Sequence, residues 1–127
     1  MKLVTALHLG TGIAVVVLGL VAFVWGIRRA RRPVPPSARN EAVWVQLVAL
    51  AQTLVLACGL LGLVLLAEGG AHPKDPLHVR VYGPFMVFAM LAAWGFRTSD
   101  RRWNIRVMAV ACLFIALLGV RAVTTGY

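Results

Sequence analysis

Residues 72–84 read HPKDPLHVRVYGP, and they mark the point where a polar connection becomes an apolar segment. Asp75 is a favourable residue to cap a helix N-terminus, and Pro76 suits the first helical position because proline has no N–H to satisfy. His78 is then expected in the first helical turn. Pro84 cannot donate a hydrogen bond to the carbonyl four residues earlier, which predicts a kink about two turns into the helix.

Four apolar blocks surround and include this stretch in a chain of 127 residues that is 61% hydrophobic and only 13% charged. That composition leaves too little polar side chain to cover a soluble fold. The blocks span residues 3–27, 42–67, 77–96 and 103–124. Each has the roughly 20 residues that a helix needs to cross a membrane. We therefore predict one all-α domain over residues 1–127, an integral membrane four-helix bundle.

The formal charge of +9 is concentrated in two arginine clusters beside helix ends. The clusters are Arg28, Arg29, Arg31, Arg32 and Arg39 between the first two blocks, and Arg97, Arg101, Arg102 and Arg106 around the last turn. Such clusters indicate cytoplasmic loops beside anionic lipid and not a nucleic-acid partner. We expect both termini and the hairpin over residues 68–77 to lie outside, in a multi-pass protein of the prokaryotic plasma (inner) membrane.

The three histidines, His8, His72 and His78, all belong to the outer part of this topology. A histidine within a membrane helix is uncommon and indicates a functional site. Neutral imidazole binds haem iron, copper or zinc, and two imidazoles from facing helices can hold a b-type haem in a bundle. The sequence therefore predicts His8 and His78 as ligands of haem b. If His72 joined them, three imidazoles would suit copper or zinc.

Four further residues are candidates for the same site: Gly12, Gln52, Tyr82 and Arg121. Gly12 follows His8 by one turn, and it indicates either close approach of another helix or room for a flat ring. Tyr82 follows His78 at the same spacing. Gln52 is costly against lipid and is expected to point into the bundle. Arg121 either snorkels to the outer surface or pairs with an acidic group on a ligand.

Several classes of function lack the residues they need. The four apolar blocks contain no Asp or Glu, which argues against proton-coupled transport through a buried carboxylate. The chain also has no Ser-His-Asp set, phosphate-binding loop or metalloprotease motif, and its spans lack the polar rings of a channel. These absences favour a cofactor site or a purely structural role.

The order of motifs resembles one half of the haem A synthase family. The matching residues are His8 on the first helix, Gln52 with Gly59 or Gly62 on the second, and His78 at the outer start of the third. The resemblance covers nearly the whole chain through short motifs. It implies axial ligation of haem by the two histidines.

The same resemblance implies that Arg121 is a partner of a haem propionate. The chain departs from the family because it has one half instead of two, no acidic residue beside His8 and no outer cysteine pair. These departures argue against oxidation of a haem methyl group and leave haem binding. A parallel two-fold dimer would restore the two-half architecture. We therefore expect a homodimer or a place in a larger respiratory or photosynthetic complex.

The leading hypothesis is a b-type haem protein that transfers electrons or handles haem near the outer leaflet. Two alternatives stay open at this point. One is a cofactor-free accessory subunit of a larger membrane complex, and the other is a copper or quinone site at the same position. Whether the chain is an enzyme also stays open.

Overall fold

The computed structural model describes residues 2–69 and 73–126, and the regular elements in these ranges are all helical. They are α1 (Lys2–Arg31), α2 (Ala38–Ala67), a π-helical turn (His78–Tyr82), α3 (Gly83–Gly95) and α4 (Arg101–Gly126). Within the described ranges, α1, α2 and α4 are long and apolar enough to cross a membrane. The prediction of an all-α chain with four helices is therefore confirmed, and three of the helices have the length and hydropathy of membrane spans.

The third apolar block differs from the single helix expected over residues 77–96. It begins with the π-helical turn, and regular α-helix follows from Gly83. The junction lies at Pro84, which has no N–H for the preceding turn, so the expected interruption takes the form of a wider helical turn. With 13 residues, α3 is about 20 Å long and is shorter than the hydrocarbon core of a bilayer.

The start of this segment is fixed by Asp75. Its carboxylate accepts a hydrogen bond of 2.9 Å from the backbone N–H of Leu77. Its own N–H donates to the carbonyl of Thr125 at the end of α4, at 3.3 Å. These two bonds attach the beginning of the third segment to the end of the fourth helix.

Helices α1 and α4 form the closest helix pair, and small residues allow their approach. A Cβ built on Gly19 would lie 2.7 Å from the carbonyl oxygen of Cys112, and one on Gly26 would lie 2.7 Å from the Cβ of Ala109. Ala22, between the two glycines, is completely buried. Close packing of small residues is the main source of helix association in a membrane. At Gly19, therefore, the missing side chain serves helix packing.

We call the end where α1 stops and α2 and α4 begin the arginine end, and an ion-pair network closes it. The Arg29 side chain, 2% exposed, lies 2.5 Å from the Glu41 carboxylate, and Arg101 reaches the same oxygen at 2.6 Å. Arg29 also donates to the backbone carbonyl of Asn40 at 2.9 Å, and its guanidinium lies 5.7 Å from the centroid of the Trp44 ring. One carboxylate thus connects three helices.

The opposite end, where α1 begins and α4 finishes, is the histidine end. Here α3 packs on α4, whereas α2 and α3 contact each other only sparsely. The gap between α2 and α3 forms a cleft that reaches into the bundle. The fold therefore has one closed end and one end with internal space.

Candidate cofactor site

His8 and His78 meet at the histidine end. Their ring centroids are 6.0 Å apart and the ring planes make an angle of 67°. The backbones of α1 and α3 do not pack directly on each other within residues 2–69 and 73–126. The contact is therefore made by the two side chains, which extend toward each other from separate helices.

The His8 ring is held by α2. Its Nδ1 lies 2.9 Å from the backbone carbonyl oxygen of Cys58, which can only accept, so Nδ1 is the donor. In a neutral imidazole the lone pair is then on Nε2. The Cys58 thiol lies 3.6 Å from the carbonyl of His8 and adds a second contact between the same residues. These contacts set both the orientation and the tautomer of the ring.

A glycine accommodates each imidazole. A Cβ on Gly62 of α2 would lie 3.1 Å from Cε1 of His8, and a Cβ on Gly126 of α4 would lie 2.9 Å from Cε1 of His78. Each histidine therefore packs against bare backbone of a neighbouring helix.

The cleft beside the two rings has a volume of about 490 Å³, within the range of about 300–1,000 Å³ usual for small-molecule sites. Its walls are mainly apolar side chains of α2 and of the third segment, including Leu56, Leu60, Leu63, Leu66, Val79 and Val87. His8, His78 and Gly12 line it as well. An apolar cavity with two imidazoles at its edge suits a large, flat, mostly apolar molecule that carries a metal ion able to bind imidazole nitrogen.

The spacing of the rings fits a shared metal ion. Imidazole nitrogen binds a metal at about 2.0–2.1 Å, as it does zinc, so two imidazoles on opposite sides of one ion place their nitrogens about 4 Å apart. Each ring centroid lies behind its nitrogen, so the observed 6.0 Å between centroids allows that separation. Two imidazoles beside an apolar cleft are the observations on which a haem proposal rests.

A metal site with three or more protein ligands was the alternative to a site formed by the histidine pair. Among residues 2–69 and 73–126, no group of three or more His, Cys, Asp or Glu side chains is placed to hold a metal ion. His72, the third imidazole considered for copper or zinc, lies outside the described residues. A ligand proposal therefore rests on the geometry of the His8 and His78 pair.

Three of the sequence candidates do not line the cleft: Gln52, Tyr82 and Arg121. Arg121 is exposed, and its Nε donates to the hydroxyl of Tyr82 at 3.3 Å, a contact between α4 and the π-helical turn. Tyr82 itself is buried. Gln52 is half-buried on α2. The fold thus brings together His8, His78 and Gly12, and places the other three elsewhere.

The sequence did not predict the contacts that hold the histidines. Cys58 has the appearance of an apolar packing residue, yet its main-chain oxygen orients His8. Gly126 lies next to the chain end and carries no motif. The sequence singled out Gly62 only through the family resemblance, because its four-residue spacing from Cys58 has a meaning only once the contact of Cys58 with His8 is known.

Comparison of the chain with protein-family models, curated proteins and solved structures finds no match in any of the three.

Proposed function

We propose that this chain is a membrane-embedded b-type haem protein in which His8 and His78 are the two axial ligands. The observation that supports the proposal is the pair of imidazoles, 6.0 Å apart, beside an apolar cleft of about 490 Å³. A haem held by two imidazoles supplies reversible one-electron transfer at its iron. The function that fits best is electron transfer or haem handling, and the resemblance to half of a haem A synthase stays a prediction beside it.

The residues of the chain would have separate tasks. His8, held through Nδ1 by the Cys58 carbonyl, presents Nε2 as its ligand nitrogen. His78 approaches from the third segment, whose start is attached to the end of α4 through Asp75 and Thr125. The leucines of α2 keep water out and lower the local dielectric, and Gly12 leaves room beside His8.

The charge distribution supports a position near the outer leaflet. Nine of the eleven arginines flank the end opposite to the histidines, and clustered basic residues mark the cytoplasmic side of a membrane protein. This orientation puts both termini and the histidine end outside, in a prokaryotic plasma membrane. A homodimer, or a place in a larger respiratory or photosynthetic complex, belongs to the same proposal.

The decisive measurement is a reduced-minus-oxidised absorbance spectrum of the protein purified in detergent, after expression with added haem precursor. The expected result is a low-spin b-type band in the wild type, which His8→Ala and His78→Ala each abolish. His72→Ala serves as the control and is expected to keep the band. A colourless wild type, a band that survives both substitutions, or copper in place of iron by elemental analysis would contradict the proposal.

A further inference from the structure

The two histidines share a feature that the proposed ligation does not explain. His8 bonds the carbonyl of Cys58, and Gly62 follows four residues later on α2. His78 packs against a glycine as well, Gly126 of α4. A glycine therefore faces each ring, and at His8 it follows the bonded carbonyl by four residues.

Helix geometry gives this spacing a physical meaning. The carbonyl of residue i points toward residue i+4 and already accepts the N–H of that residue. A side chain at i+4 leans back over the preceding turn and covers that carbonyl. Glycine at i+4 leaves the second lone pair of the oxygen accessible from outside the helix.

Distances at Gly62 show that this space is used. A Cβ there would lie 3.1 Å from Cε1 and 3.7 Å from Nδ1 of His8, so the imidazole occupies the place where a side chain would stand. At Gly126 the corresponding distances to His78 are 2.9 Å and 3.3 Å. In both cases Cε1 is the ring atom nearest to the glycine.

We infer that Gly62 is a positioning residue that uncovers the Cys58 carbonyl, so that this carbonyl orients the His8 imidazole and leaves Nε2 as the ligand nitrogen. The inference rests on the proposed function insofar as Nε2 is the nitrogen that binds iron. The tautomer itself is a property of the protein without cofactor. It can therefore be measured separately from haem binding.

The experiment is ¹⁵N NMR of histidine-labelled protein without haem, in detergent, with the His8 signals identified by their loss in His8→Ala. The wild type is expected to show His8 protonated at Nδ1. Gly62→Val is expected to shift His8 toward the Nε2-protonated tautomer, because the new side chain displaces the ring from the carbonyl. Gly62→Ala is expected to give a smaller shift in the same direction and provides a milder change if the valine variant folds poorly.

The matched control is Gly59→Ala on the same helix, since a Cβ at that position meets no atom within 4 Å. It is expected to keep the wild-type tautomer. The inference is overturned if the wild type carries its proton on Nε2, or if Gly62→Ala and Gly62→Val both keep the wild-type spectrum.

Haem titration of the same samples separates the two proposals. With a haem-binding wild type, Gly62→Val is expected to weaken haem affinity by about 10-fold, the usual loss when the outer partner of a metal ligand is removed. If no variant binds haem while the tautomers change as described, the proposed function fails and the positioning role of Gly62 stands. If Gly62→Val binds haem as tightly as the wild type with an unchanged tautomer, the positioning role fails and the proposed function stands.

Discussion

The two ends of the molecule use the same kind of residue for opposite purposes. At the arginine end, a Cβ on Gly26 would lie 2.6 Å from the Trp44 ring, so this ring fills the space that a side chain at position 26 would occupy. At the histidine end, a Cβ on Gly59 would meet nothing within 4 Å, and the space belongs to the cleft. Gly26 therefore admits a neighbouring ring at one end, and Gly59 leaves the cleft open at the other.

The polar side chains also differ between the two ends. A buried guanidinium, that of Arg29, is tolerated at the arginine end because Glu41 and Asn40 accept its hydrogen bonds. At the histidine end the polar groups are two half-buried imidazoles, and the Cys58 carbonyl bonds the His8 ring. Stability should depend mainly on the first end, and ligand binding on the second.

The largest loss of stability is expected from Arg29→Ala. This change removes the buried guanidinium with its hydrogen bonds to Glu41 and Asn40 and leaves a gap beside Trp44, so the free energy of unfolding should fall by about 3 kcal/mol. Arg28→Ala, at the exposed neighbouring position, should change it by less than about 0.5 kcal/mol. Denaturant unfolding in detergent measures both, and equal effects would show that the ion-pair network does not close this end.

Gly19→Ala should have the next largest effect. The new methyl group would meet the backbone oxygen of Cys112 at 2.7 Å, and separating two helix backbones should cost about 2 kcal/mol. Gly10→Ala, on the same helix in open space, should leave stability unchanged or raise it by up to about 1 kcal/mol. Thermal unfolding of the pair checks the difference, and a neutral Gly19→Ala would argue against tight α1–α4 packing.

Tyr82→Phe should have a smaller effect. It removes the hydroxyl that accepts from Arg121, and a single hydrogen bond of this kind contributes about 0.5–1 kcal/mol. Because neither residue lines the cleft, the haem spectrum should stay as in the wild type. A changed spectrum would show that the contact between Arg121 and Tyr82 does affect the cofactor site.

The smallest effect on stability is expected from Gly59→Leu. Its side chain enters open space, so the free energy of unfolding should change by less than about 0.5 kcal/mol. The same side chain occupies part of the cleft, so haem retained after purification should fall clearly below the wild-type amount. If a stable variant retained all of its haem, the ligand could not occupy the gap between α2 and α3.

Composition and block length predicted the number and approximate position of the helices. They predicted the helix ends less well. Helix α1 continues to Arg31, four residues beyond the predicted end, because a helix carries its arginines into the polar region without breaking. Helix α2 begins at Ala38, where the Ser37 side chain accepts from the Asn40 N–H. In the third block, Pro84 predicted an interruption but not its π-helical form.

The candidate site was predicted in part. His8 and His78 were selected by their rarity in apolar segments, and the structure places their rings together. Arg121 and Gln52 were expected at the site, and neither lines the cleft. Sequence spacing gives the height of a residue along a helix, whereas the rotation of that helix depends on which faces pack.

By itself, the sequence determined the all-α class, the apolar helices and the separation of arginines from histidines, because these depend on local composition and chain order. Only the tertiary structure decided that α1 packs on α4, that α2 and α3 stand apart, and that Cys58 and Gly62 meet His8. The contacts of His8 join residues about 50 positions apart, and the α1–α4 pair brings Gly19 to Cys112, so both depend on the fit of one helix surface against another.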